Sequence, residues 1–436
     1  MTVRIYVSVG LLAMTALAPL AMASAQRVDP IAPLPPVTRV TPLQPGQPPQ
    51  PVQPVAPAEV VPVLPPPLWQ ISDAGQLLAY IRGVGREGLS ANDYDPAGLE
   101  QALRGGDPML ISATATDRFN RLSYDLALGH VRRAARVGWH IPDKDLDAVS
   151  QRRLLDQALF THRLADALNG LLPSHPQYGA LRYALEVTPA TEAVKRNRIR
   201  SNMDRWRWLP RDLGAKYIIV NVPAYHATLV ENGATRWKHR AIAGALKTPT
   251  PQLTATATGV ILNPWWEVPA SITKEVAGKG GYVAVKGKDG KVQRWRQPPG
   301  PNNALGQLKF VMANPYAIFL HDTNARSRFN SSIRALSHGC IRTQHVVDLA
   351  TELLGDDGGE WTADKVQAAL ASKKSVQANF VKPLPVYIVY FSSAALVDGT
   401  IVNYDDVYGR DGKVIAALLD SDGGAAVTPA TEVASR

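Results

Sequence analysis

Lys216-Tyr-Ile-Ile-Val-Asn221 and Ala224-Tyr-His-Ala-Thr-Leu-Val230, followed by Asn232-Gly233 and a returning run from 235 to 242, decide how this chain is read. Each run is rich in β-branched and aromatic side chains, and Asn-Gly is the dipeptide a tight hairpin turn favours. Near Trp206 the hydrophobic period therefore changes from 3.6 to 2. Downstream, further strands are expected at 259–262, 308–311, 317–320 and 386–391. Two helices should interrupt them, at 344–354 with Gly355 at its end and at 362–371. A loop-rich insertion full of Gly, Lys and Pro occupies 271–303, and no internal repeat is visible.

Upstream the pattern is helical. Leu77, Leu78 and Ile81 share one face, as do Leu122, Leu126, Leu128 and Val131, and then Leu154, Leu155, Leu159 and Leu164. Asp73, Asp117 and Ser150 are the expected N-caps, and Pro142, Pro173 and Pro176 punctuate the loops. The fold class is thus α+β: a helical domain of four to six helices over 68–202, then a β-rich domain over 203–412 with the insertion at 271–303. Residues 413–436, rich in Ala, Gly, Ser and Thr, are expected to be a disordered tail.

The first 67 residues read as export machinery and a tether. Arg4 precedes an apolar run over 7–22, and Ala23-Ser24-Ala25 supplies small residues before Gln26. Residues 1–25 fit a secretory signal peptide, with a retained membrane anchor as the alternative. Fifteen of the 35 prolines fall within 26–67, a composition suited to an extended linker. No later stretch is long and apolar enough to span a bilayer. The expected location is therefore the periplasm or cell envelope. A net charge of +10 suits a polyanionic setting, but no Lys/Arg run interleaved with aromatics argues for a nucleic-acid groove.

Cys340 is the sole cysteine of the 436 residues, so no intramolecular disulfide exists. By default such a residue is a small buried hydrophobe. Its setting, Ser337-His338-Gly339-Cys340-Ile341-Arg342, argues for a nucleophile. Gly339 permits close backbone approach, and the Gly339 and Cys340 amides are candidate oxyanion donors. Placed just ahead of a helix capped near Thr343, the thiol would feel the positive helix end and Arg342, both lowering its pKa. A cysteine nucleophile also needs a base. His321, at the mouth of a strand in His321-Asp322-Thr323, is preferred over His338, which is expected to brace the turn. A zinc set drawn from His321, His338, Cys340 and His345 matches no common spacing.

These residues resemble the signature of the L,D-transpeptidase family. The likeness continues through Arg205-Trp-Arg-Trp-Leu-Pro210, Asn221-Val-Pro223, Asn263-Pro-Trp-Trp-Glu-Val-Pro-Ala-Ser-Ile272, the Pro299–Gly306 run, Pro385-Val-Tyr387 and Asp405-Asp-Val-Tyr-Gly409, and is similar to the larger, YcbB-like branch. Gly85-Arg-Glu-Gly-Leu89 with Asp93-Tyr94 resembles that branch's scaffold domain. The resemblance implies a helical scaffold, a β-rich catalytic domain and a capping subdomain at the insertion. It also implies an exported cysteine acyltransferase of peptidoglycan with no cofactor or metal. Cys340 would take the acyl group of a donor tetrapeptide as a thioester with loss of terminal D-Ala, and a second stem would accept it as a 3-3 cross-link. Ser337, His338, Gly339 and Arg342 would support the site. Trp266, Phe319 and Asn303 are the candidate substrate-binding residues, with packing the alternative for Trp266. Stem peptides and other wall-synthesis enzymes are the implied partners, and carbapenems the implied acylating mimics. A same-fold L,D-carboxypeptidase, a cross-link hydrolase and an inactive wall-binding scaffold remain alternatives. Relatives often carry Tyr where this chain has Phe319 and Pro where it has Asn324, and many insert a wall-binding module near 184–202 that is absent here.

Overall fold

The computed structural model describes residues 66–395 and 400–420. The expected signal peptide and all but the last two residues of the proline-rich linker lie outside these. The helical half contains α1 (Ile71–Gly83), α2 (Pro96–Gly105), α3 (Pro108–Leu128), α4 (Ala148–Thr161), α5 (Leu164–Asn169), α6 (Pro176–Val187) and α7 (Ala193–Arg207). That exceeds the four to six helices expected. The caps also differ from expectation. Asp107 accepts from the amides of Met109 and Leu110 to start α3, so Asp117 lies mid-helix. Asp147 caps α4 in a reciprocal box with Ser150, and Gln70 rather than Asp73 precedes α1.

Ala74, Leu77 and Ile81 of α1 meet Phe119, Leu122 and Leu126 of α3 and Leu155 of α4 in a first core, all essentially without solvent exposure. A second core joins the two halves of the chain. Ile199, Met203 and Trp206 of α7 pack with Tyr178 and Leu181 of α6 and with Trp139, Trp208, Tyr217, Tyr387 and Phe391. α7 thus runs through the expected boundary at 202/203. Two of its arginines are buried: Arg205 pairs with Asp411 at 2.7 Å, while Arg207 pairs with Asp204 at 3.2 Å and donates to the Tyr178 hydroxyl at 2.7 Å. Such pairs stand only because each charge has partners inside. α11 (Asp411–Leu419) adds Val414 and Leu418 to this core, so the expected tail is helical over its first residues. From 421 onward that tail lies outside the described residues.

The strands are β1 (Lys216–Asn221), β2 (His226–Glu231), β3 (Ala234–Gly244), β4 (Leu253–Leu262), β5 (Trp266–Glu267), β6 (Val283–Lys286), β7 (Val292–Gln297), β8 (Leu308–Met312), β9 (Leu320–His321), β10 (Ala335–Ser337), β11 (Ile341–Thr343), β12 (Val376–Val389), β13 (Ser393–Ala395) and β14 (Ile401–Asn403). α8 (Thr273–Val276), α9 (Val346–Asp356) and α10 (Ala363–Ala371) lie among them. Strand order in the main sheet is β10-β3-β11-β9-β8-β4-β12-β1-β2, and β2 also pairs with β3. Eight strands therefore close a circuit, with β10 attached beside β3. Leu308, Phe310, Leu320, Ile341, Val386 and Ile388 point into its core, against Leu349, Leu353 and Val366 of α9 and α10.

The insertion is more ordered than its composition suggests. β5, β7 and β6 form a separate three-stranded sheet, and Val268, Ile272 and Val276 make a small core of their own. Asn303 pins its exit: the side-chain amide donates to the carbonyls of Pro264 at 3.0 Å and Pro298 at 2.9 Å, and Oδ1 accepts from the Leu305 amide at 2.8 Å.

Candidate active site

Strand periodicity assembles the site. β11 lies parallel to β9 with Ile341 beside Leu320 and Arg342 beside His321, while Lys309 of β8 pairs with His321 from the other side. Leu320 and Ile341 face the core. Period-2 alternation therefore puts His321, Arg342 and Lys309 on the opposite face, with Phe319 and Cys340 immediately ahead of β9 and β11 and partly buried against the core. The Phe319 and His321 rings meet edge-on with centroids 5.6 Å apart, and the Lys309 ammonium stands 5.2 Å from the centre of the Phe319 ring.

The turn before Cys340 is held by Ser337 rather than by His338. Ser337 Oγ donates to the Cys340 carbonyl at 2.6 Å and accepts from the Gly339 amide at 3.1 Å. Gly339 has φ of +120°, a conformation open to glycine, and its carbonyl accepts from Thr250 Oγ1 at 2.7 Å. The Gly339 N–H is thus engaged within the turn, against the expectation that it would be an oxyanion donor. His338, half exposed, directs Nε2 to Glu275 of α8 at 3.5 Å, a contact between the nucleophile loop and the insertion. The Cys340 thiol donates to the Ala317 carbonyl at 3.5 Å.

No helix begins at Cys340. β11 follows it directly, and α9 starts only at Val346, after His345 takes the left-handed conformation at φ of +53°. The expected helix-end stabilisation of a thiolate is therefore missing. Burial instead pushes the Cys340 thiol above its ordinary pKa of 9.0, and the Phe319 amide, Lys309 and Arg342 pull only partly the other way. His321 is buried, and burial together with the charge of Arg342 lowers its pKa to about 3. The backbone of Asp322 favours a charged ring, yet His321 Nδ1 is buried with no partner at hydrogen-bond geometry among the described residues. The resting pair is thus a neutral thiol and a neutral imidazole.

Asp322 and Thr323 fix the base segment. Asp322 accepts from the Gln307 amide at 3.0 Å and from Arg326 at 2.8 Å, and Thr323 Oγ1 accepts from the Ala325 amide at 3.1 Å. A Cβ on Gly306, which has φ of +62°, would lie 2.4 Å from Asp322 Oδ2, so only glycine allows this approach. Arg342 does not brace the nucleophile loop through Nε, which is buried without a partner among the described residues.

The candidate substrate residues separate. Phe319 sits beside His321 and Lys309. Trp266 packs on the insertion's own core, with its ring centroid 6.2 Å from that of Tyr282. Asn303 is 1% exposed with its amide committed to the backbone, so it is a structural pin and not a substrate ligand. Lys309 was missed by sequence reasoning; the signal available was its alternation with Leu308 and Phe310 in a strand neighbouring that of His321. Among the described residues no group of three His, Cys, Asp or Glu side chains is placed to hold a metal ion.

Residues 215–387 match the L,D-transpeptidase catalytic domain, and residues 65–185 match a scaffold domain. A Haemophilus influenzae protein provisionally named an L,D-transpeptidase is 32% identical over 231 residues, covering 47% of this chain and 46% of that protein. The chain thus spans about half the length of this curated relative. Among solved structures, an L,D-transpeptidase from Mycobacterium smegmatis overlays with a TM-score of 0.22 at 14% identity, covering 40% of this chain and 58% of that one. A mutant L,D-transpeptidase of Enterococcus faecium gives 0.24 at 12% identity, with coverage of 42% and 52%. No helix among the described residues is long and apolar enough to cross a membrane.

Proposed function

Because this chain carries the L,D-transpeptidase catalytic domain of its family behind a scaffold domain, we propose that it is a cysteine acyltransferase that forms 3-3 cross-links in peptidoglycan in the cell envelope. The observation that supports the reading most is the parallel register of β11 on β9, with Arg342 beside His321 and Cys340 immediately ahead of β11. In the first half-reaction the Cys340 sulfur attacks the carbonyl that follows the L-centre of the third stem residue, and His321 takes the thiol proton. The negative oxygen that forms is held by the Cys340 amide, the turn donor that Ser337 does not occupy. Collapse breaks the bond to terminal D-Ala, whose nitrogen takes the proton back from His321, leaving a thioester on Cys340. In the second half-reaction the side-chain amine of another stem attacks that thioester and gives its proton to His321, which passes it to the departing sulfur to restore the thiol. Lys309 and Arg342 supply positive charge beside the thiol, suited to a stem carboxylate.

A neutral resting pair argues against a preformed thiolate, and a ring held at about 3 takes the thiol proton only if bound substrate stabilises the imidazolium. Proton transfer then occurs only when a substrate is in place, and the idle thiol stays weakly nucleophilic in an oxidising compartment. The test is mass spectrometry of digested sacculi incubated with the protein. New 3-3 dimers are expected, absent with Cys340→Ala. Tripeptides without dimers would replace the reading with that of a carboxypeptidase, and no change at all would make the chain an inactive wall-binding scaffold.

A further inference from the structure

The segment that follows α3 and precedes α4, outside the matched catalytic residues, reaches the loops on either side of Cys340. Its backbone at 138–140 runs beside Gln252 like a short strand. The His140 amide donates to the Gln252 carbonyl at 2.8 Å, the Gln252 amide donates to the Gly138 carbonyl at 2.8 Å, and Gln252 Nε2 donates to the Val137 carbonyl at 2.9 Å. Two residues before Gln252, Thr250 donates to the Gly339 carbonyl, and Arg410 donates to the Thr250 carbonyl at 3.2 Å. One side of the nucleophile turn is therefore fastened to this segment.

The other side is the loop at 314–317, whose Ala317 carbonyl receives the Cys340 thiol. Asn314 organises its base: Oδ1 accepts from the Tyr316 and Ile318 amides at 3.2 and 3.1 Å, and Nδ2 donates to the Ile318 carbonyl at 2.7 Å. Ala317 itself has φ of +52°, an uncommon conformation for a residue with a Cβ. The side chain of Tyr316 reaches across to the helical half. Its hydroxyl lies 2.7 Å from His140 Nδ1, and the two rings are tilted by 35° with centroids 4.3 Å apart. Burial, with Arg133 and Arg410 nearby, lowers the pKa of His140, and the tautomer of the neutral ring decides whether Nδ1 or the Tyr316 hydroxyl donates in this bond.

We propose that His140 is a positioning residue for the acyl-transfer reaction: through Tyr316 it holds the 314–317 loop so that the Ala317 carbonyl aims the Cys340 thiol. The helical domain is then a working part of the active site and not only a support for it. The inference rests on the thioester chemistry proposed above. Both side chains are at the surface, with Tyr316 43% exposed, so removing their contact bears on loop placement more than on global stability.

The experiment measures acylation of Cys340 by a carbapenem in the full chain under reducing conditions, following intact mass over time at several drug concentrations. His140→Ala and Tyr316→Phe are each expected to lower the maximal acylation rate about fivefold, the size of one lost hydrogen bond. Half-saturation and unfolding temperature should stay as in the wild type. The double variant should again lose about fivefold and not about 25-fold, because both changes break one link. His140→Asn, which keeps a hydrogen-bonding group near the position of Nδ1, should recover most of the rate. Unchanged rates in either single variant, multiplicative losses in the double, or losses matched by a lower unfolding temperature would overturn the positioning role. A wild type that is not acylated at Cys340 would refute the thioester chemistry itself, and this inference with it.

Discussion

Replacing His321 by Asn should flatten the loss of stability on acidification, and the size of the effect follows from where the ring sits. In the unfolded chain an imidazole titrates near its ordinary 6.5, whereas in the folded protein burial and Arg342 lower this group to about 3. Below pH 6.5 the unfolded state gains a proton that the folded state refuses. The contribution is thus complete above that pH and is lost as pH falls toward about 3. Between pH 7 and pH 4.5 this one ring should remove about 2.5 kcal/mol of stability, approaching about 1.4 kcal/mol per pH unit in the middle of the range. Urea unfolding followed by the fluorescence of the nine tryptophans measures it at each pH. The variant will differ at neutral pH through lost packing, so the decisive quantity is the difference in slope. His175, lowered to about 4 by burial, and the carboxylates contribute equally to both curves and cancel. Parallel curves would refute the reasoning: His321 would then titrate as an ordinary imidazole, and the neutral resting base would be lost with it.

Alkylation of Cys340 by iodoacetamide should keep accelerating as pH rises beyond the ordinary thiol range, because burial disfavours the thiolate; a plateau below pH 8 would contradict this. Lys309→Met, which removes a charge that favours the thiolate, should slow alkylation at pH 8 further, and faster alkylation would show that Lys309 acts otherwise. Asn303→Ala should cost about 2 kcal/mol through unpaired buried carbonyls and speed proteolysis within 271–303. A raised KM with unchanged proteolysis would instead return Asn303 to the substrate.

The two-residue alternation at 216–242 made the hairpin legible, since β1, β2 and β3 follow the expected runs closely. That His321 and Cys340 come from neighbouring segments, β9 and the turn into β11, was legible from the motif. The geometry around the thiol was not. Ile341, Arg342 and Thr343 precede an apolar helical run, and nothing local reveals that β3 and β9 flank them as strand partners. The strand expected at 317–320 contracts to Leu320–His321 because Ala317 turns left-handed around Asn314. β12 runs far longer than expected: Pro383 and Pro385 argue against a strand, but Pro383 falls in an irregularity of register between Asn379 and Leu384, and Pro385 lies just ahead of the β1 pairing that begins at Val386. Nothing local marks Arg205 and Arg207 as interior, and only tertiary partners across the chain reveal them. His140 likewise carries no local signal, because its partner lies 176 residues away.

The closed strand circuit has a consequence for how this protein behaves in a crowd. A sheet rim offers unpaired amides and carbonyls to any extended chain it meets, and through them begins edge-to-edge aggregation. Here each of the eight strands in the circuit has a neighbour on both sides, and the strand attached outside it, β10, is only three residues long. The main sheet therefore presents little rim for another copy to extend.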